Sequence, residues 1–248
     1  RLAVVLVLAI GGGLALEAVA AGQTPPPSEP LSRWGRGRIL YQRDCAWCHG
    51  AGGEGTNLGP ALIGTGEASA HFVLTTGRMP IDEPQVQPPR SEPRYGADQV
   101  DALVAFVGSL GAGPPIPQVD PSRGDLGEGA VLYERNCAAC HGSTGVGGAL
   151  TSGLIAPGID RSTAIQIAEA VRIGGAGVRT GHMPKFGSEV LDQAQLDAVV
   201  RYTLSLADPE DPGGASLTHL GPVAEGFVAV FGSLLLALVV IRRLGDRV

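Results

Sequence analysis

The chain has 248 residues, 38 of them Gly and 19 Pro, with aromatic side chains at only 4%. That length suits two small domains but not a large enzyme with a separate cofactor fold, and so few aromatics leave such cores short of their usual bulk. A formal charge of -6 and a pI near 5.3 exclude a nucleic-acid surface and suit basic patches on other proteins.

Residues 1–22 carry the apolar run LAVVLVLAIGGGLALEAVAA, broken only by Glu17. About 20 helical residues cross a hydrocarbon layer of about 30 Å, so this run reads as a transmembrane anchor. A cleaved secretory signal, with a small-residue site at Ala18-Val19-Ala20, is the alternative. Residues 23–32 are Pro-rich and read as a stiff linker. Ser32 can cap a helix that carries Ile39, Leu40 and Tyr41 on its apolar side and runs into Cys45-Ala46-Trp47-Cys48-His49.

Beyond His49 the stretch GAGGEGTNLGPALIGTG has no regular period and must wrap around something. Residues 67–76 read as a short helix and 80–94 as a Pro-rich surface loop suited to docking. Residues 97–110 read as a closing helix with Val100, Leu103, Val104 and Val107 on one face. Residues 33–111 thus form a first domain and 112–123 a linker. At Asp125, which makes a capping-box pattern with Glu128, the plan starts again for residues 124–208. The segments 37–50 and 129–142 share nine identities over fourteen positions, and the closing helix recurs at 193–206. Residues 209–222 form a last linker. The apolar run 223–243 ends at Arg242-Arg243 and reads as a transmembrane helix whose C-terminus is cytoplasmic, leaving both domains on the extracytoplasmic face.

Two cysteines three residues apart, followed directly by histidine, are the attachment signature of a c-type haem. The signature recurs at Cys137-Ala138-Ala139-Cys140-His141, and the two copies use all four cysteines. On a helix, Cys45 and Cys48 project from one side, so both can reach one porphyrin with His49 beneath the iron. Cys137, Cys140 and His141 repeat the arrangement, so two covalent haem c groups are expected. Disulfides, a zinc site and thiol exchange are the competing uses of such cysteines. The chain's two methionines, Met79 and Met183, both lie in T-G-x-M-P and are the expected sixth ligands, with His182 and His71 as rivals. A thioether ligand raises the potential relative to bis-His ligation. Irons closed by His and Met favour placement and potential tuning over catalysis.

These residues resemble tandem class I cytochromes c, over roughly residues 33–110 and 125–206, which implies an all-α chain of two such domains flanked by membrane helices. In that family a Pro after the haem loop orients the proximal His through its carbonyl. Pro60 matches this well, and Pro157 matches it more loosely because its loop is longer. The family also crosses its first and last helices through a small residue and paired aromatics, a place taken by Gly37, Tyr41 and Phe106 and again by Gly129, Tyr133 and Tyr202.

The phrases GPALIGTGEA, TTGRMP, NCAACHGSTGVGGALTSG and HMPKF, with the apolar ends, resemble the dihaem cytochrome cc subunit of actinobacterial menaquinol:cytochrome c reductases. That resemblance implies an electron-transport subunit of a dimeric oxidoreductase and translocase in the plasma membrane. Its partners would be a cytochrome b subunit, a Rieske iron-sulfur subunit that feeds the first domain, and a terminal oxidase subunit whose copper centre the second domain reduces. The alternatives are the dihaem subunit of a cbb-type oxidase, a dihaem peroxidase, or a carrier subunit of a periplasmic dehydrogenase.

Overall fold

The first helix begins where Ser32 Oγ accepts a hydrogen bond from the Gly35 amide at 3.1 Å, opening α1 (Arg33–Asp44). The computed structural model describes residues 31–85, 87–175, 183–207 and 222–245. The apolar run 1–22, most of the linker 23–32, His182 and the linker 209–221 lie outside the described residues.

α1 buries two residues, Gly37 and Tyr41, one turn apart. Ile39, expected on the same side, is 55% exposed, because two steps along a helix rotate a side chain by about 200°. Cys45 separates α1 from the single turn α2 (Ala46–His49), and α3 (Gly66–Thr75) and α4 (Ala97–Gly108) complete this part of the chain. α4 buries Val100, Leu103, Val104 and Val107 as its periodicity predicts. α1 and α4 cross so closely that a Cβ on Gly37 would overlap the carbonyl oxygen of Ala102. One turn on, Tyr41 and Phe106 pack with ring centroids 4.8 Å apart.

The chain divides into two units, Arg1–Pro115 and Ile116–Val248. At the end of the first, Pro114 accepts a hydrogen bond from the Ala68 amide at 3.1 Å. At the start of the second, the Asp120 amide donates to Asp197 at 2.9 Å.

In the second unit Asp125 caps α5 (Leu126–Asn136) by accepting from the Glu128 amide at 2.7 Å. The reciprocal capping box suggested there is instead found at Thr163 with Gln166 and at Asp192 with Gln195. α6 (Ala138–His141) is followed by a ladder the helical expectation did not include: β1 (Gly148–Ala149) and β2 (Ile155–Ala156) pair antiparallel. The longer loop between His141 and Pro157 has more backbone groups to satisfy, and this ladder bonds some of them. α7 (Ala164–Ile173), which sequence periodicity did not single out, and α8 (Gln193–Ser205) form the core with α5 around Tyr133, Ile167, Val171, Leu196 and Val199. A Cβ on Gly129 would overlap Ala198 O, and Tyr133 meets Tyr202 at 5.4 Å, so the crossing of the first unit is repeated.

The last described element is α9 (Pro222–Gly245), slightly longer than the apolar run that predicts it. Its 20 residues Gly226–Gly245 have a mean hydropathy of 2.2 and are long and apolar enough to cross a membrane.

Replacing Gly37 by Ala is expected to lower the stability of the first unit by about 1–3 kcal/mol, read from its denaturant midpoint. Gly96→Ala, where a Cβ meets nothing within 4 Å, should shift the same midpoint by less than about 0.5 kcal/mol.

Candidate haem-binding sites

Each cysteine pair sits on a tight turn, not inside a continuous helix. Cys45 has φ -121° and closes α1 by donating its amide to Tyr41 O at 2.8 Å; Cys137 has the same φ and donates to Tyr133 O at 2.8 Å. Cys45 O then accepts from the amides of Cys48 (3.1 Å) and His49 (2.9 Å), and Cys137 O accepts from Cys140 and His141 at the same two distances. Six backbone bonds thus fix the two motifs in matching shapes. None of the four cysteines is in a disulfide. Burial pushes the Cys45 thiol up to about 12, with Asp44 and Cys48 adding to the effect, and pushes Cys137 up to about 11 with help from Cys140. Thiol exchange needs the opposite, a stabilised thiolate. Among the described residues no group of three or more His, Cys, Asp and Glu is arranged to hold a metal ion such as zinc.

The histidines are oriented by carbonyls. His49 Nδ1 lies 2.8 Å from Pro60 O, and His141 Nδ1 lies 2.9 Å from Pro157 O. A carbonyl only accepts, so in each ring the proton is on Nδ1 and the Nε2 lone pair is left for a metal. In the first unit Gly59 makes this geometry accessible, since a Cβ there would stand 2.8 Å from Cys48 O and 3.1 Å from His49 Nδ1. Thr56 ties the same loop down by donating its hydroxyl to Cys48 O at 2.7 Å and its amide to Gly59 O at 2.9 Å. In the second unit β1 and β2 carry Pro157 back to the ring without the Gly-Pro order. Gly55 donates to His49 O at 2.7 Å and Gly147 to His141 O at 2.8 Å, closing both loops alike.

Met79 and Met183 are both half-buried. The Met79 amide donates to Val73 O at 3.1 Å, which ties it to α3, and Met183 O accepts from the Gly175 amide at 2.8 Å. His71 lies within α3, half-buried. The sequence pattern places Tyr41 and Tyr133 at the helix crossings. Their hydroxyls also donate to the glycine after each motif, Tyr41 to Gly50 O at 2.8 Å and Tyr133 to Gly142 O at 2.7 Å. The signal was present as an identical nine-residue spacing in both repeats. Burial pushes each of these phenols up to about 12, so both remain donors.

Residues 35–111 match the family model described as cytochrome c, and residues 124–202 match the one described as cytochrome C oxidase, cbb3-type, subunit III. The cytochrome bc1 complex cytochrome c subunit of Mycobacterium tuberculosis is 36% identical over 231 residues, covering 89% of this chain and 81% of its own length. The subunit of the same name from Mycobacterium leprae is 35% identical over 235 residues, covering 91% and 80%. The chain belongs to the family of cytochrome bc1 complex cytochrome c subunits. A Cbb3-type cytochrome c oxidase subunit CcoP from an Azospirillum species is 30% identical over 194 residues, covering 68% of this chain and 61% of the relative.

As a member of the bc1 cytochrome c subunits the chain is a haem-binding electron-transport protein of the respiratory chain, and its cytochrome c domains imply covalently bound haem c. The site fits that group. Unpaired thiols, an imidazole with Nε2 left open and a glycine-rich loop folded back on the ring coincide at both motifs.

Tyr41→Phe is expected to destabilise the first unit by about 1–3 kcal/mol, the cost of leaving a buried carbonyl unsatisfied. Denaturant unfolding measures this, and an unchanged midpoint would show that Gly50 O finds another donor.

Proposed function

We propose that the chain is a membrane-tethered carrier with two haem c groups, passing electrons from the Rieske iron-sulfur subunit of a quinol:cytochrome c reductase to the copper centre of a terminal oxidase. The observation that carries this reading is the duplicated bond from histidine Nδ1 to a proline carbonyl on two Cys-x-x-Cys-His turns. Bound haem c supplies a one-electron iron centre at each site. Cys45 and Cys48 hold the first through thioethers and Cys137 and Cys140 the second. His49 and His141 offer Nε2 to the irons, and Pro60 and Pro157 hold the Nδ1 protons that keep the rings in that tautomer. Met79 and Met183 would supply the thioether ligands, which would favour the reduced state relative to bis-His ligation.

Family membership supports a setting beside a cytochrome b subunit in a dimeric reductase that works as a translocase. In this arrangement the first unit accepts electrons and the second delivers them. α9 crosses the plasma membrane with Arg242 and Arg243 at its cytoplasmic end, and both haem units stand on the extracytoplasmic face. A dihaem subunit of a cbb-type oxidase is the second reading, favoured by the match of residues 124–202. The higher identity over more of the chain supports the first.

Quantifying haem in the purified chain should give two covalent groups; one would remove a site from the proposal. Met79→His and Met183→His should each lower one midpoint potential while leaving attachment intact, and unmoved potentials in both would take methionine off the ligand list. Mild detergent purification through a tag on this chain should bring down cytochrome b, Rieske and oxidase subunits together. Recovery of the chain alone would refute the assembly.

A further inference from the structure

Arg78 stands between Gly77 and Met79. Its Nη1 atom is buried without a hydrogen-bond partner among the described residues. The guanidinium lies over the Phe72 ring, 5.3 Å from its centroid. Arg90 is close enough to act on it electrostatically. Arg90 is brought near by the loop 80–94, which folds back on the residues before Met79. The Ser91 amide donates to Thr76 O at 3.2 Å and its hydroxyl donates to Gly77 O. Gly77, at φ 63°, accepts this approach where a Cβ would overlap Ser91 O.

A buried guanidinium is costly unless an anion meets it. We infer that Arg78, with Arg90 beside it, receives a propionate carboxylate of the haem held at His49. This rests on the reading that His49 and Met79 ligate a haem. Adjacent Cα atoms are about 3.8 Å apart, so with Met79 over the iron the long Arg78 side chain starts within reach of the porphyrin rim. Its planar fork matches a carboxylate with two parallel bonds. The matching position in the second repeat is His182, so the arrangement belongs to the first site, and the loop 80–94 acquires a role in placing Arg90.

The test is a potentiometric titration of the purified holoprotein, full-length and in detergent, with the first haem's wave assigned by its shift in Met79→His. Haem content is measured on each sample, which separates failure of the haem reading from failure of this inference. Removing the cation favours the ferric state, so Arg78→Gln should shift the first haem's redox equilibrium about tenfold toward oxidised, ~59 mV for a one-electron couple. The second haem's wave should stay in place and the low-spin visible spectrum should be unchanged. Arg78→Lys, which keeps the charge, should recover most of the shift. An unmoved first wave in Arg78→Gln overturns the inference, as does an equal lowering in Arg78→Lys. Should Arg78→Gln fail to load its first haem, Arg78→Lys decides. Loading there with a potential near the wild type upholds the proposal, and failure to load overturns it by making packing over Phe72 the requirement.

Discussion

Each unit depends on one close approach, the crossing of its first and last long helices through a glycine. With a Cβ at Gly37, Ala102 O would have to move away, and α1 and α4 with it. Tyr41 is one turn further along α1, so its contact with Phe106 and its bond to Gly50 O both depend on that spacing. Gly50 opens the loop that brings Gly59 and Pro60 back over His49. The path from helix crossing to imidazole tautomer is therefore a short chain of contacts. Gly129, Tyr133, Gly142 and Pro157 repeat it in the second unit.

The two units differ in how they reach the same endpoint. In the first, eleven residues separate the ring from its carbonyl, and Gly59 lets the backbone pass against His49 while Thr56 staples the loop. In the second the separation is sixteen residues, and a two-residue ladder spans the added length. The distance from ring nitrogen to carbonyl is nearly the same in the two sites (2.8 against 2.9 Å) although the path between them differs. That pattern is expected when the orientation of a ligand, and not the loop, is what the chemistry uses.

Much of this was legible in the sequence because it is written twice. The cysteines, histidines, crossing glycines and their aromatic partners recur at matching intervals, so each copy serves as a control for the other. What was not legible lacked a counterpart or a period. α7 shares little with α3 beyond its place in the order, and its caps, Thr163 and Gln166, are marked only by their side-chain chemistry. β1 and β2 are two residues each, too short for any alternation to register. Ile39 was placed on the wrong face because a helix with a glycine at its contact buries very little, so apolar residues next to it carry no weight. Arg78 was passed over as the variable letter of a ligand motif, and only its buried, unpartnered nitrogen singles it out.

The same bonds that make the sites recognisable also bear on how a carrier works. A group that only gains and loses an electron is best served by ligands whose positions are the same in both states, since any rearrangement adds to the barrier. At each motif the histidine amide is tied to the first cysteine's carbonyl, its own carbonyl is tied to a loop glycine, and its ring is tied to a proline carbonyl. Three bonds from three directions leave the imidazole little freedom to follow a change of charge. In the proposed sites, a histidine lacking the proline bond would have a ring free to turn. Fixing the ring from behind would suit such a site to repeated one-electron transfer.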